Sequence, residues 1–140
     1  MEYKKINDTI AVRIYKGEDV IEQIKSLAAQ HNIKAGTITG LGAGSSIEVG
    51  VYDPAEKKYK TKVFEGILEI TSLIGNLSIK DSEPYLHMHI NFSDDEYKIY
   101  GGHLIKCEIA LTAEIFINVL DGEINRKFDE ALGGYMLDLK

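Results

Sequence analysis

Several residue types are scarce in this sequence, and each shortage narrows what the protein can be. Its 140 residues include one cysteine, two prolines and no tryptophan. The single cysteine, Cys107, permits no internal disulfide, so a reducing cytoplasm is the expected compartment. Cys107 lies in the apolar segment LIKCEIAL, which favours a small buried core residue over a nucleophile.

Long apolar runs are also missing. No apolar stretch reaches the roughly 18 residues that suggest a membrane-spanning helix. The first residues, MEYKKINDTI, lack the apolar region of a secretory signal. The length predicts one domain, residues 1–140, that needs neither a metal nor a disulfide to fold.

Arginine is scarce and acidic residues are in excess. The formal net charge is −6, and only Arg13 and Arg126 of the 16 basic residues are arginines. Lysine and arginine neutralise the phosphates that dominate DNA affinity, and arginine reads guanine edges with two hydrogen bonds. The composition therefore argues against a monomer that binds DNA by itself.

One local row of basic residues departs from this trend. Lys58, Lys60 and Lys62 alternate in the segment EKKYKTKVF, which places them on one face of a predicted strand. The favoured interpretation is a solvated strand whose lysines discourage pairing with another sheet edge. The alternative is a phosphate-contacting surface around residues 57–62, which would become stronger where several copies converge in an oligomer.

Hydrophobic periodicity predicts an α+β fold, in which one main helix packs on a central, mainly antiparallel sheet. TIAVRIY alternates like a half-buried strand, whereas GEDVIEQIKSLAAQHNI has helical spacing over roughly residues 18–31 and ends at His31. DPAEKK predicts a turn, and FDEAL predicts a short helical turn. The other segments with strand character are AGTITGLGA, SSIEVGVYD, KYKTKVF, GILEITSL, GNLSIK, YLHMHINF, KIYGGHLIKCEIALTAEIFINVL and GGYMLDL.

The glycine-rich segment TGLGAGSSIEVG follows a predicted strand, as a phosphate-binding loop does. Such a loop needs a helix directly after the glycines, because the N–H groups of the helix N-terminus contact the phosphate. Here a strand-like segment follows instead. The favoured interpretation is that these glycines let a sheet bend or approach another backbone closely.

Three of the four histidines lie in YLHMHINFSDDEYKIYGGHL, residues 85–104. In a strand His87 and His89 point to one side, and the apolar residues between and beside them point to the core. SDDE predicts a turn towards His103. The three imidazoles share a face only if the hairpin loop has an odd number of residues or a bulge shifts the register. In that register we expect His87 opposite His103 and His89 diagonal to it.

Three neutral imidazoles suit zinc, which takes three protein ligands and a water in open sites. Gly101 and Gly102, directly before His103, would let neighbouring backbones approach closely. The spacing leaves two interpretations open. The three histidines form a metal site, or they are independent members of a polar cluster.

The segments PYLHMH and GGHL, together with LEITSLIGN and TGLGAGSSIEVGVYD before them, resemble the prokaryotic form of the PPC domain (plants and prokaryotes conserved). The resemblance extends from Arg13 and KGED to ALTAEIFI. It implies an α+β fold with a central antiparallel sheet, a homotrimer, and a metal, often zinc, at His87, His89 and His103. It also implies an association with DNA, because the plant domains follow AT-hook segments in nuclear proteins.

Two features of the plant proteins are missing here. The sequence has no AT-hook, and the plant partner-contact motif Gly-Arg-Phe-Glu-Ile-Leu corresponds to residues 66–71, where Ile67 replaces the arginine. The resemblance therefore does not carry over the plant partner surface. The expected role is a trimeric binding or interaction module rather than a sequence-specific reader of DNA.

The PPC fold is also similar to that of acetolactate decarboxylase, in which zinc on three histidines polarises a keto acid. This similarity implies a second hypothesis, a metal-dependent lyase or hydrolase that acts on a small oxo-acid. Arg13 could then hold a carboxylate, and Glu69 or Glu114 could donate a proton. The alternative roles are a strand-face salt bridge for Arg13 and solvated strand positions for the two glutamates.

Overall fold

The computed structural model describes residues 1–140 as one helix and eight strands. Almost all strand pairs are antiparallel, and the exception is a single parallel contact between β4 and β7. This architecture belongs to the α+β class. The elements in chain order are β1 (Glu2–Ile6), β2 (Thr9–Tyr15), α1 (Val20–Gln30), β3 (Gly36–Asp53), β4 (Lys58–Lys80), β5 (Glu83–Ser93), β6 (Ile99–Val119), β7 (Asn125–Asp129) and β8 (Gly134–Asp138).

Four long strands close the sheet on itself. β3 pairs with both β4 and β6, and β5 pairs with the same two strands on the other side. The inward-facing residues of these strands and of β2, with one face of α1 and Ile33 beyond it, form a cluster of 24 buried apolar residues. β2 and β1 extend the sheet beyond β6, and the β7–β8 hairpin lies beside the end of β4. The histidine segment is therefore built into the closed part of the sheet.

A single aspartate ties the helix to the sheet. One carboxylate oxygen of Asp19 accepts the N–H of Glu22 at 3.0 Å and caps α1, and the other accepts the buried N–H of Cys107 at 3.0 Å. The helix predicted over residues 18–31 is thus observed over Val20–Gln30, with His31 at its end. Cys107 is fully buried, and burial raises the pKa of its thiol to about 12, which confirms it as a core residue.

The strands are longer than the sequence pattern predicts. AGTITGLGA and SSIEVGVYD form one strand, β3, and three predicted strands merge into β4. β3 stays continuous because it absorbs register shifts at Gly40–Gly42 and Gly44–Ser46. A Cβ at Gly42 would lie 2.4 Å from the carbonyl oxygen of Thr112. The glycines of this segment therefore let β3 bend and approach β6 closely, as expected, and no helix follows them that could bind a phosphate.

The helical turn predicted at FDEAL is partly observed. Phe128 and Asp129 end strand β7, and residues 130–133 form a turn that leads directly to β8. The N–H of Gly133 donates to the carbonyl oxygen of Asp129 at 2.7 Å, which closes a single helical turn, and the carboxylate of Asp129 accepts the N–H groups of Ala131 and Leu132 at 2.9 and 3.0 Å. GGYMLDL forms a strand as predicted, whereas β1 lies in a segment for which no strand was predicted.

Candidate metal centre

His87, His89 and His103 come together on the outer face of the closed sheet. β5 carries the first two and β6 the third, and each offers a ring nitrogen such that the three nitrogens lie within 4.8 Å of one another. The centroids of the three rings are between 5.2 and 5.6 Å apart. Met88 and Ile90 alternate with the histidines and are buried in the core. The period-two pattern of the sequence therefore places the imidazoles on one face, as predicted.

The register of the hairpin differs from the one expected. His89, and not His87, lies opposite His103, while His87 pairs with Asn76 on β4. The loop between β5 and β6 spans residues 94–98, an odd number, which keeps all three histidines on one face. Asp94 sets this loop length by accepting the N–H groups of Glu96 and Lys98. A loop two residues shorter would have given the predicted pairing.

The glycine pair before His103 has the role expected from the sequence. A Cβ at Gly101 would lie 2.6 Å from the carbonyl oxygen of Ile90 on β5. A Cβ at Gly102 would lie 2.9 Å from the carbonyl oxygen of Gly50 on β3. Both glycines therefore let β6 approach its two neighbours at the point where it presents His103.

The surroundings of His87 and His103 favour the neutral form of these two imidazoles. Burial, followed by the neighbouring His87 and His89, lowers the pKa of His103 to about 4. Burial, followed by the nearby Arg126 and by His89, also lowers the pKa of His87. Neutral imidazole is the form that binds a metal, since a protonated ring has no free lone pair.

The residues present fit a metal ion. Nδ1 of His103 is buried and has no hydrogen-bond partner, an arrangement that is unusual in folded proteins and that a bound ion would explain. The ring of Tyr59 stacks on His103, with centroids 4.6 Å apart and planes inclined by 23°, so the orientation of this imidazole is held by packing. The donor set of three imidazoles suits zinc and other divalent transition metals.

Two hollows give access to the histidines. The first, called here the tyrosine pocket, has a volume of about 310 Å³. The second, called the threonine groove, is more open and has a volume of about 390 Å³. The tyrosine pocket is lined by Tyr52, Tyr59, Tyr85, His87, His103, Arg126, Leu132, Gly133, Gly134, Tyr135 and Met136. The threonine groove is lined by Thr37, Ile38, Thr39, Ile74, Gly75, Asn76, His87 and His89.

Arg126 is a residue of this site that no motif in the sequence identified. β7 lies beside the end of β4, where the guanidinium of Arg126 donates from Nε to Ser78 Oγ and from Nη2 to Asn76 Oδ1, both at 2.7 Å. Asn76 lies directly opposite His87. The only signal in the sequence was the rarity of arginine, which occurs twice.

The residues suggested for an oxo-acid site lie elsewhere. Arg13 is exposed, contacts Glu2 at 3.4 Å and faces Glu114 across the β2–β6 pair, as in the salt-bridge interpretation. Glu69 lines a separate groove with Leu41 and Leu111. None of Arg13, Glu69 and Glu114 lines the tyrosine pocket or the threonine groove. Within one chain, these side chains are not placed to act with the histidines.

The lysine row is exposed and partly neutralised. Lys58, Lys60 and Lys62 lie on the part of β4 that pairs only with β3. Lys60 contacts Asp53 at 2.6 Å, and Lys58 pairs with Glu56. The row therefore presents less positive charge than its sequence suggests.

Comparison with known proteins identifies the family. The family model of the Plants and Prokaryotes Conserved domain, abbreviated PCC or PPC, matches residues 1–121. The chain belongs to this family. No curated protein matches its sequence. The structure has no helix that is both long and apolar enough to cross a membrane.

Three solved structures show what this PPC chain is similar to. The metal-containing protein of Archaeoglobus fulgidus is 34% identical, with a TM-score of 0.88 and 98% of each chain covered. A PPC protein of Pyrococcus horikoshii is 30% identical, with a TM-score of 0.87 and coverage of 98% of this chain and 93% of that one. A candidate DNA-binding protein of Bacteroides thetaiotaomicron is 28% identical, with a TM-score of 0.95 and coverage of 98% and 96%.

The similarity to acetolactate decarboxylase is confirmed at the level of the fold. The enzyme of Bacillus subtilis is 15% identical, with a TM-score of 0.55 over 91% of this chain and 59% of that one. An identity this low shows a shared fold and does not transfer an activity.

Proposed function

We propose that this PPC protein is a metal-binding domain with a site for a small ligand. In this proposal His87, His89 and His103 bind a divalent transition metal, with zinc as the ion that three imidazoles suit best. The observation that carries the proposal is the approach of three ring nitrogens to within 4.8 Å of one another. The likeness to a metal-containing archaeal protein supports it.

The histidines and their neighbours determine how the proposed centre would bind an ion and a ligand. The lowered pKa values of His87 and His103 keep both rings ready to bind an ion near pH 7. Tyr59 holds the ring of His103 by stacking. A bound ion would supply Lewis acidity towards an oxygen atom of a ligand. The two hollows beside the histidines leave room for such a ligand.

The metal content of protein purified without a histidine tag tests the proposal. We expect about one zinc per chain in the wild type and almost none in His87→Ala/His89→Ala, because a single remaining imidazole does not hold the ion. His31→Ala is the matched control, since this exposed histidine lies outside the cluster and its loss should leave the metal content unchanged. A wild type without metal would leave a polar histidine cluster and remove the basis of the proposal.

A homotrimer in the cytoplasm is also part of the proposal, from the family resemblance and the free, buried Cys107. Exposed apolar side chains on the outer face of the sheet support an assembly. Ile74 and Phe116 flank Thr39 from its two sides and are 58% and 50% exposed. Apolar residues clustered in this way commonly mark an interface between subunits.

Association with DNA is the second candidate, favoured by the likeness to candidate DNA-binding proteins and by the lysine row. Binding through phosphates should weaken steeply as salt rises, and it should fall further in Lys58→Gln/Lys60→Gln/Lys62→Gln. Fluorescence anisotropy with duplex DNA at two salt concentrations measures both effects. Because the net charge is −6 and two of these lysines are paired with acids, we expect weak affinity at physiological salt.

A further inference from the structure

The tyrosine pocket contains a positive charge that no acidic side chain balances. Arg126 is half-buried, and its guanidinium donates only to neutral acceptors, namely Ser78 Oγ, Asn76 Oδ1 and the carbonyl oxygen of Tyr135. It takes part in none of the eight ion pairs of the structure. The chain has 22 acidic residues, so a partner was not excluded by composition. Charges removed from water are usually paired, and this one is open to an anion from outside.

The guanidinium is held in place and retains free donors. A guanidinium has about five N–H groups, of which three are used in these hydrogen bonds, so one remains on each terminal nitrogen. Its Cζ lies over the ring of Tyr85 at 4.5 Å. A fixed guanidinium with a free N–H on each terminal nitrogen suits a carboxylate, because little conformational freedom is lost on binding.

The walls of the pocket indicate the rest of the ligand. Four tyrosines, with Leu132 and Met136, surround a volume of about 310 Å³, and Arg126 is the only lining residue with a permanent charge. A phosphate dianion would call for more than one cation, whereas one guanidinium among aromatic rings matches a monoanion with a flat apolar body.

The β7–β8 hairpin supplies one wall of this pocket and also Arg126. The hydroxyl of Tyr52 donates to the carbonyl oxygen of Leu132 at 2.5 Å, and Nζ of Lys57 donates to that of Glu130 at 2.6 Å, so the tip of the hairpin is fastened to the β3–β4 turn. The hairpin lies beyond residues 1–121, the part that the PPC family model matches. The pocket is therefore formed jointly by residues that the family model matches and by the hairpin that follows them.

We propose that the tyrosine pocket binds a small organic carboxylate with a planar apolar body, with its carboxylate on Arg126 and its far end towards His87 and His103. The role of the bound carboxylate as a ligand beside a metal rests on the function proposed above. The recognition by Arg126 does not depend on a metal.

Benzoate is the probe, and methyl NMR of the methionines locates it. The chain has three methionines, of which Met136 lines the pocket, Met88 is buried in the core, and Met1 contacts Glu18 through its amino group and does not line the pocket. We expect benzoate to shift the methyl signal of Met136 and to leave that of Met1 in place. The shift should saturate with benzoate concentration and give a dissociation constant.

Matched variants then test Arg126. Arg126→Gln should weaken benzoate binding by at least about tenfold, because a charged hydrogen-bonded pair is lost. Arg126→Lys keeps the charge and loses the paired N–H groups of the guanidinium, so its affinity for benzoate should lie between those of Arg126→Gln and the wild type. Lys127→Gln is the control on the same hairpin, since Lys127 pairs with Asp138 and does not line the pocket. It should bind benzoate as the wild type does.

Each result has a defined meaning, since zinc-loaded and chelator-treated protein are both titrated and metal content is measured for every variant. Benzoate binding that needs Arg126 in a chain without metal supports the pocket and removes the metal proposal. Metal without any shift of Met136 overturns the pocket, as does unchanged affinity in Arg126→Gln. An equal shift with inorganic phosphate overturns the carboxylate assignment. Should Arg126→Gln fail to fold, the wild-type shift of Met136 and the affinity of Arg126→Lys decide.

Discussion

At the scale of single residues, protonation decides what the histidine cluster can bind. Burial is the largest cause of the lowered pKa of both His87 and His103, and the positive charge of Arg126 is the second cause for His87. An ion that binds near pH 7 therefore has no proton to displace from either ring. In the proposed metal site, the positive charge of Arg126 would repel the bound ion, and an anionic ligand between the two would relieve this repulsion.

The two arginines show which residue roles a sequence can indicate. Arg13 lies in a strongly alternating strand, and its role as a strand-face cation followed from that pattern and is observed. Arg126 reaches the site because β7 lies beside β4, which brings it to Asn76 and Ser78, about fifty residues earlier in the chain. Its local segment carries no trace of this pairing. Local periodicity indicates the face of a strand, and it does not indicate which distant strand lies beside it.

At the scale of elements, the β5–β6 hairpin determines the histidine geometry, and Gly101 tests this. In Gly101→Ala the new Cβ would meet the carbonyl oxygen of Ile90, which belongs to the backbone and cannot rotate away. The two strands must then separate beside His89 and His103. We expect a loss of about 1–3 kcal/mol in the free energy of unfolding, as for other overpacked sites. Zinc affinity should fall by about tenfold or more, as when the support of a metal ligand is lost.

Chemical denaturation and a competitive zinc titration measure the two effects. Lys98→Ala serves as the control, because Lys98 is an exposed residue of the same hairpin and its side chain contacts only Glu96 in the loop. Zinc affinity of Gly101→Ala equal to that of the wild type would show that the spacing of the strands does not determine the site.

The limits of sequence-based prediction at this scale have identifiable causes. The alternation of apolar and polar residues predicted the positions of the strands and their buried faces, because each strand has one buried face. The merging of predicted strands into β3 and β4 was missed, because glycine-containing bulges interrupt the period while the pairing continues. The histidine register was wrong by two residues, because it depends on the hydrogen bonds of Asp94 in the loop. Both errors concern pairing between strands, on which the site depends.

At the scale of the whole molecule, the site lies between two parts of the chain, the part that the PPC family model matches and the hairpin that follows it. The closed sheet within residues 1–121 carries all three histidines and matches the PPC family. The β7–β8 hairpin follows this core and encloses the tyrosine pocket from one side. The threonine groove, in contrast, is formed by the core alone and opens on the face that carries Ile74. In the functions proposed above, the tyrosine pocket takes the small ligand and the face around the threonine groove contacts a neighbouring subunit.

This division predicts that assembly depends on the face around the threonine groove. Light scattering should give a mass three times the 15.6 kDa of one chain for the wild type. Phe116→Asp should reduce it to that of a single chain, because a buried carboxylate without a partner is costly in an apolar interface. The fold should survive, since Phe116 is already half-exposed in the single chain. Tyr97→Asp, at an 88% exposed position in the β5–β6 loop, should remain trimeric. A wild type of single-chain mass, or a trimeric Phe116→Asp, would contradict this assignment of the face.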